Sequence, residues 1–194
     1  MGKRIHNPLQ KWRALVTGTL LLLGLQATGQ SVVWTQTREG STTRVQLTLP
    51  PPQWKSVETW QLPVLEEGVS WAQAGEPDLP EVAYKIAIED KEGATLLSVS
   101  FEEETTLANI QIAPAAEERM VGQPPKARAC GAVYTQDALF PQQRVELSPP
   151  YYTHGGWYQT IYVRPYAYHP LRGEFLHSKA VTLRLKGLRS ERRQ

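Results

Sequence analysis

Apolar and polar residues alternate with a period of two along much of this chain, and alternation of that kind is a strand with one buried face. Val45, Leu47 and Leu49 point one way while Arg44, Gln46 and Thr48 point the other. Val82, Tyr84, Ile86 and Ile88 repeat the pattern against Glu81, Lys85 and Glu89, and Leu97, Val99 and Phe101 repeat it against Ser98 and Ser100. Ala108, Ile110 and Ile112 alternate with Asn109 and Gln111. Ile161 and Val163 alternate with Tyr162 and Arg164, and Val181, Leu183 and Leu185 with Thr182, Arg184 and Lys186. Helical periodicity is nearly absent. Proline and glycine fill the gaps at 50–52, 75–80, 124–125, 149–150, 155–156 and 170–173, and because proline cannot donate to a ladder these positions are loops or edges. Short strands separated by turns predict an all-β fold, an antiparallel β-sandwich of two sheets. One stretch breaks the rhythm, residues 114–131, which reads as a long loop with one helical turn at 115–119.

The first 29 residues have a different character. Lys3, Arg4, Lys11 and Arg13 precede an apolar run at 14–25, and small residues Ala27 and Gly29 follow. This is the three-part pattern of a cleavable signal peptide cut before Gln30; the apolar run falls short of the roughly 20 residues that a retained membrane anchor needs. The expected organisation is a signal peptide at 1–29, one β-sandwich domain at 30–187 and a polar basic tail at 188–194. It makes the product secreted, periplasmic or displayed at the cell surface, with no stable membrane insertion after cleavage.

Charge changes the picture once the leader is set aside. The chain has 21 Lys and Arg against 19 Asp and Glu, but four of the basic residues and none of the acidic ones lie in the leader. The remainder is slightly acidic and has no basic stripe, so nucleic acid is not an expected partner. Cys130 is the single cysteine, which excludes an internal disulfide and leaves stability to the core.

Candidate chemistry is sparse. Cys130 and His154-Gly155 resemble a thiol and its base, yet where a His-Gly element serves a cysteine peptidase the histidine comes first in the chain and sits on a parallel α/β sheet. A free thiol and a turn histidine are the expected roles, with no catalytic residues. His154, His169 and His177 lack paired metal-ligand spacing, and no phosphate-cradling or dinucleotide motif occurs, so neither metal nor cofactor is expected. The aromatic run at 151–168 supplies core and cross-strand packing, and alternatively a protein- or glycan-binding surface formed by Tyr151, Tyr152, Trp157 and Tyr158.

Three elements in order resemble the N-terminal propeptide of the gingipain family of secreted cysteine peptidases, the C25 peptidases. Gly75-Glu76-Pro77-Asp78-Leu79-Pro80 is similar to the family's G-x-P-x-L-P turn, with a strand following it. Phe140-Pro141 and then Val145-Glu146-Leu147-Ser148-Pro149-Pro150 resemble its second element. Ile161-Tyr162-Val163-Arg164-Pro165-Tyr166-Ala167-Tyr168-His169-Pro170 resembles a strand ending P-x-x-Y-N-P, although His169 stands in place of the usual asparagine and Gly155-Gly156-Trp157 replaces a more basic stretch. The likeness covers about 34–186.

The resemblance implies a non-catalytic β-sandwich prodomain that keeps a gingipain-type catalytic domain latent, in cis or in trans, and assists its folding. Such prodomains offer a basic side chain from a loop to the primary specificity pocket. The matching loop here is 114–131, with Arg119, Lys126 and Arg128 as the candidates. Arg189, Arg192 and Arg193 in the tail are candidate processing sites. The chain then reads as either a truncated precursor or a stand-alone inhibitor.

Overall fold

The structure is a computed structural model that describes residues 31–117, 122 and 127–189. The expected leader, and Arg119, Lys126, Arg192 and Arg193, lie outside the described residues. In chain order the strands are β1 (Val33–Glu39), β2 (Thr42–Thr48), β3 (Gln53–Val57), β4 (Trp60–Val64) and β5 (Val69–Ser70). There follow β6 (Pro80–Ile88), β7 (Thr95–Glu102), β8 (Thr105–Leu107), a single 3-10 turn (Ala132–Thr135) and β9 (Val145–Leu147). The last are β10 (Tyr151–Thr153), β11 (Gly156–Val163), β12 (Tyr166–His169), β13 (Glu174–His177) and β14 (Ala180–Lys186).

All named strand pairings are antiparallel, and they build four sheets where two were expected. One has the order β1-β2-β14-β7, and a second has β10-β11-β6-β5 with β9 also paired to β11. The alternating strands of the sequence supply the centre of both, because a strand flanked on each side must bury one face fully. Val45 and Leu47 of β2, Ile86 and Ile88 of β6, Ile161 and Val163 of β11 and Val181, Leu183 and Leu185 of β14 meet in one apolar cluster. Each such aliphatic side chain contributes about 1.5–3 kcal/mol on burial, and no disulfide adds to it.

The other two sheets are a three-stranded one, β12-β13-β8, and the hairpin β3-β4. Their core is separate and mostly aromatic, formed by Leu79, Ile112, Tyr166, Tyr168 and Phe175. Tyr166 and Phe175 pack 5.1 Å apart between ring centroids, and Trp54 of the hairpin meets Phe175 edge-on at 4.8 Å. Tyr166 and Tyr168 from the aromatic run are therefore core residues, while Tyr152 on β10 is 63% exposed. Two arginines fasten the sheets: Arg164 bonds Glu81 at 2.8 Å and lies over the Trp71 ring, and Arg144 bonds Glu104 and lies over Phe101.

Three expectations of local structure need correction. Leu97 does not point inward: the ladder slips between Arg184 and Leu185, so that Leu96 pairs with Leu185 and Ser98 with Arg184. The extra residue of this bulge is Leu97, which is left 51% exposed. The alternation at 108–112 is not a strand either; Asn109 adopts a left-handed φ of 60° that breaks the run, and what forms there is an isolated bridge from Ile112 to Gln61 and a main-chain bond from Ile110 N–H to Gly173 O. Residues 115–117 form no helical turn, and the one described 3-10 turn lies later, at Ala132–Thr135.

Tyr166 carries a buried hydroxyl with no hydrogen-bond partner, and burial pushes its pKa up to about 12. Its folded form therefore keeps a proton that the unfolded chain gives up near pH 10, so stability is present below pH 10 and falls as pH rises from there toward 12. Urea unfolding of Tyr166→Phe at pH 8 should show a stability equal to or up to about 1 kcal/mol above the parent, because an orphan hydroxyl is removed. At pH 11 the advantage should be larger; an advantage that shrinks with rising pH would contradict this account.

Candidate functional site

The segment 75–80 is the seam of the molecule. Leu79 is buried in the aromatic core, Pro80 opens β6, and Val82 two residues later is buried in the aliphatic core. The long loop leaves from this seam and returns to it. On the outgoing side Asp78 N–H donates to Ala113 O at 2.9 Å, Ala115 N–H to Glu76 O at 2.7 Å and Gly75 N–H to Ala115 O at 3.0 Å. On the returning side Gly131 N–H donates to Gly75 O at 2.7 Å.

That last contact requires two glycines. Gly75 has φ +87°, and a Cβ on it would lie 3.1 Å from Gly131 N; a Cβ on Gly131 would lie 3.0 Å from Gly75 O. Side chains at either position would push the two strands of the loop base apart.

Asp78 completes the base. Its side chain is only 11% exposed, so its carboxylate needs donors, and it has two. Ser70 Oγ of β5 donates to Oδ1 at 2.6 Å, and Arg128 Nη1 donates to Oδ2 at 3.0 Å. Arg128 Nη1 also donates to the carbonyl of Pro114. One guanidinium thus holds the outgoing chain, the returning chain and the seam together. Arg128 belongs to the base of the loop, with its charge already spent. The sequence hid this pairing because the two residues are 50 positions apart; the one signal was an acid fixed between prolines in a rigid turn.

The other candidates are dispersed. Cys130 is exposed beside this base, and desolvation pushes its thiol pKa up, away from the thiolate that a nucleophile requires. His154 sits in the β10–β11 turn with φ 47°, its Nδ1 2.8 Å from Thr153 Oγ1, and no hydrogen bond joins it to Cys130. His169 is buried and donates from Nε2 to Asp137 at 2.9 Å. Among the described residues no group of three or more His, Cys, Asp or Glu is placed to hold a metal ion. Arg189 is exposed, its main-chain N–H donates to Ala87 O at 3.0 Å, and its guanidinium lies 5.7 Å from the Tyr158 ring centroid.

The family model Propeptide_C25 matches residues 26–191, spanning both cores and the loop base between them. The chain belongs to the C25 propeptide family. A C25 propeptide is the non-catalytic prodomain of a gingipain-type cysteine peptidase. This agrees with the three-element resemblance read from the sequence. No curated protein sequence matches.

Among solved structures, the fold of this C25 propeptide is similar to a chain of the complex of the Porphyromonas gingivalis RgpB pro- and mature domains. That match has a TM-score of 0.72 at 21% identity, over 81% of this chain and 83% of that one. It is also similar to a chain of a structure concerned with the zymogenic latency of gingipain K from the same organism, with a TM-score of 0.62 at 14% identity, over 82% of this chain and 94% of that one.

Removing one partner of the Asp78–Arg128 pair strands the other. Arg128→Met should cost about 2–3 kcal/mol in urea unfolding, below the full buried-pair value because Arg128 is 18% exposed. In the double variant Asp78→Leu/Arg128→Met part of that loss should return, giving a coupling of at least about 1 kcal/mol. Effects that simply add would show that the two side chains do not act together.

Proposed function

We propose that this prodomain keeps a gingipain-type cysteine peptidase latent during export and assists its folding, by presenting the 114–131 loop to the active-site cleft. The observation that carries the reading is the loop's base. Glu76, Ala113, Ala115, Gly131 and Arg128 are bonded into one rigid frame, and a loop held at both ends loses less entropy when a partner binds it. The likeness to the RgpB pro-domain complex and to the gingipain K zymogen supports the same reading at the level of fold.

Arg128 is committed to Asp78, so the side chain proposed to enter the specificity pocket is Arg119 or Lys126. A guanidinium in a carboxylate-lined pocket makes two parallel hydrogen bonds, which favours Arg119 where the peptidase cuts after arginine and Lys126 where it cuts after lysine. The leader at 1–29 is proposed to direct export. Arg189, Arg192 and Arg193 are proposed as processing positions, with scission at Arg189 requiring Leu188 and Arg189 first to leave the edge of β6.

The test is inhibition of a mature gingipain-type peptidase by the purified protein. Inhibition should be complete at micromolar concentration, and either Arg119→Ala or Lys126→Ala should weaken it by about 30-fold or more, the equivalent of losing one buried charged contact of at least 2 kcal/mol. A peptidase left fully active would defeat the proposal, and equal inhibition by both variants would defeat the basic-loop mechanism.

A further inference from the structure

We propose that residues 187–189 form a clasp, seated by Leu188 and tied by Arg38, that governs scission after Arg189. The bond is cut only when the clasp opens, and the domain keeps its fold after the cut because Leu188 returns to its seat. The inference rests on the reading of Arg189 as a processing position and adds how the fold controls it. The chain crosses here from one sheet to another. β14 ends at Lys186 in the four-stranded sheet, Gly187 turns the chain with φ +89°, and Leu188 bridges to Ile88 of β6 in the five-stranded sheet. Each residue of the crossing is bonded. Glu89 N–H donates to Gly187 O at 2.9 Å and Arg189 N–H to Ala87 O at 3.0 Å, while Arg38 Nη1 of β1 donates to Leu188 O at 2.9 Å. The Leu188 side chain is 1% exposed and belongs to the aliphatic core.

A peptidase takes the chain it cuts as an extended strand, so residues on both sides of the bond must first leave their own partners. Scission of a folded protein then follows the population in which they have left. Arg184, Lys186 and Arg189 all have exposed side chains, so exposure does not separate them. The main chain does. Arg184 pairs with Arg44 on one side and Ser98 on the other, and Lys186 with Thr42 and Thr95. Reaching the bonds after these two means lifting β14 from β2 and β7 and drawing Val181, Leu183 and Leu185 out of the core.

Reaching the bond after Arg189 means withdrawing Leu188 and breaking its bond to Arg38, while β14 stays in place. Unseating one fully buried leucine and one charged hydrogen bond holds the open population down by about a hundredfold or more. The clasp therefore delays scission and directs it to Arg189. A cut there leaves Leu188 joined to β14 through Gly187, free to reseat. A cut after Lys186 would remove Leu188 from the core altogether.

The experiment is limited proteolysis of the purified protein with trypsin, which cuts after arginine and lysine, read by intact-mass spectrometry. Because trypsin is used, the cuts report the opening of the clasp whether or not a gingipain-type peptidase processes at Arg189. Scission after Arg189 should be at least about a hundredfold slower than in the same protein unfolded in urea at matched trypsin activity. The product ending at Arg189 should accumulate before any cut after Arg184 or Lys186. Arg38→Gln should speed scission after Arg189 roughly tenfold, the low end for a charged hydrogen bond because Arg38 is 44% exposed. Scission after Arg172, in the turn between β12 and β13, should not change in that variant. Three results would each overturn the proposal: scission after Arg189 as fast as in the unfolded protein, an Arg38→Gln variant with no change or an equal change at Arg172, or cuts after Arg184 and Lys186 that keep pace with the cut after Arg189.

Discussion

Asp78 sits where three stretches of chain meet, and a carboxylate in so dry a place has to be answered by donors from whatever surrounds it. Ser70 brings β5 to one oxygen and Arg128 brings the returning arm of the loop to the other. Arg128 in turn takes the carbonyl of Pro114, so the outgoing arm is drawn to the same point. The neighbours of Asp78 in sequence carry the two cores, Leu79 in the aromatic one and Val82 in the aliphatic one. The position of the loop is thereby tied to both halves of the domain. Without a disulfide, the base of the loop is held by one ion pair, four main-chain bonds and two glycines in contact.

The described residues form two cores. The four-stranded and five-stranded sheets close on aliphatic side chains. The remainder, β8, β12 and β13 with the β3–β4 hairpin, closes on Tyr166, Tyr168 and Phe175. Aromatic rings suit that smaller layer because each fills a large volume from a short strand. At the seam at 75–80 the two layers join, and the base of the loop is bonded there.

The sequence revealed the strands that sit between two neighbours. β2, β6, β11 and β14 are central, bury one face completely and so keep strict alternation, as Val45, Ile86, Ile161 and Leu183 show. Edge strands obey no such rule: β1 and β3 are mostly exposed, and the residues of β3, Gln53 to Val57, alternate nothing. The inward pointing expected of Leu97 failed because a bulge is a property of the pair, set by how β14 meets β7, and no single strand encodes it. The strand expected at 108–112 failed at Asn109, whose left-handed backbone ends the alternation that the residue types suggested. For the site, the turn 75–80 and the irregular loop were both legible. That Arg128 faces Asp78 was not, because charge pairing across 50 residues leaves no local pattern. Arg128 consequently looked like an available cation when its charge belongs to the frame.

If the base of the loop is one mechanical unit, its amides must open together. Native-state hydrogen exchange at Gly75, Asp78, Ala115 and Gly131, which donate the bonds that close both arms, measures this directly. A single shared opening free energy at all four sites, lowered by the same amount in Arg128→Met, is the expected result. Gly131 exchanging on its own while Ala115 keeps its protection would mean that the arms are held separately, and the account of a braced loop would be wrong.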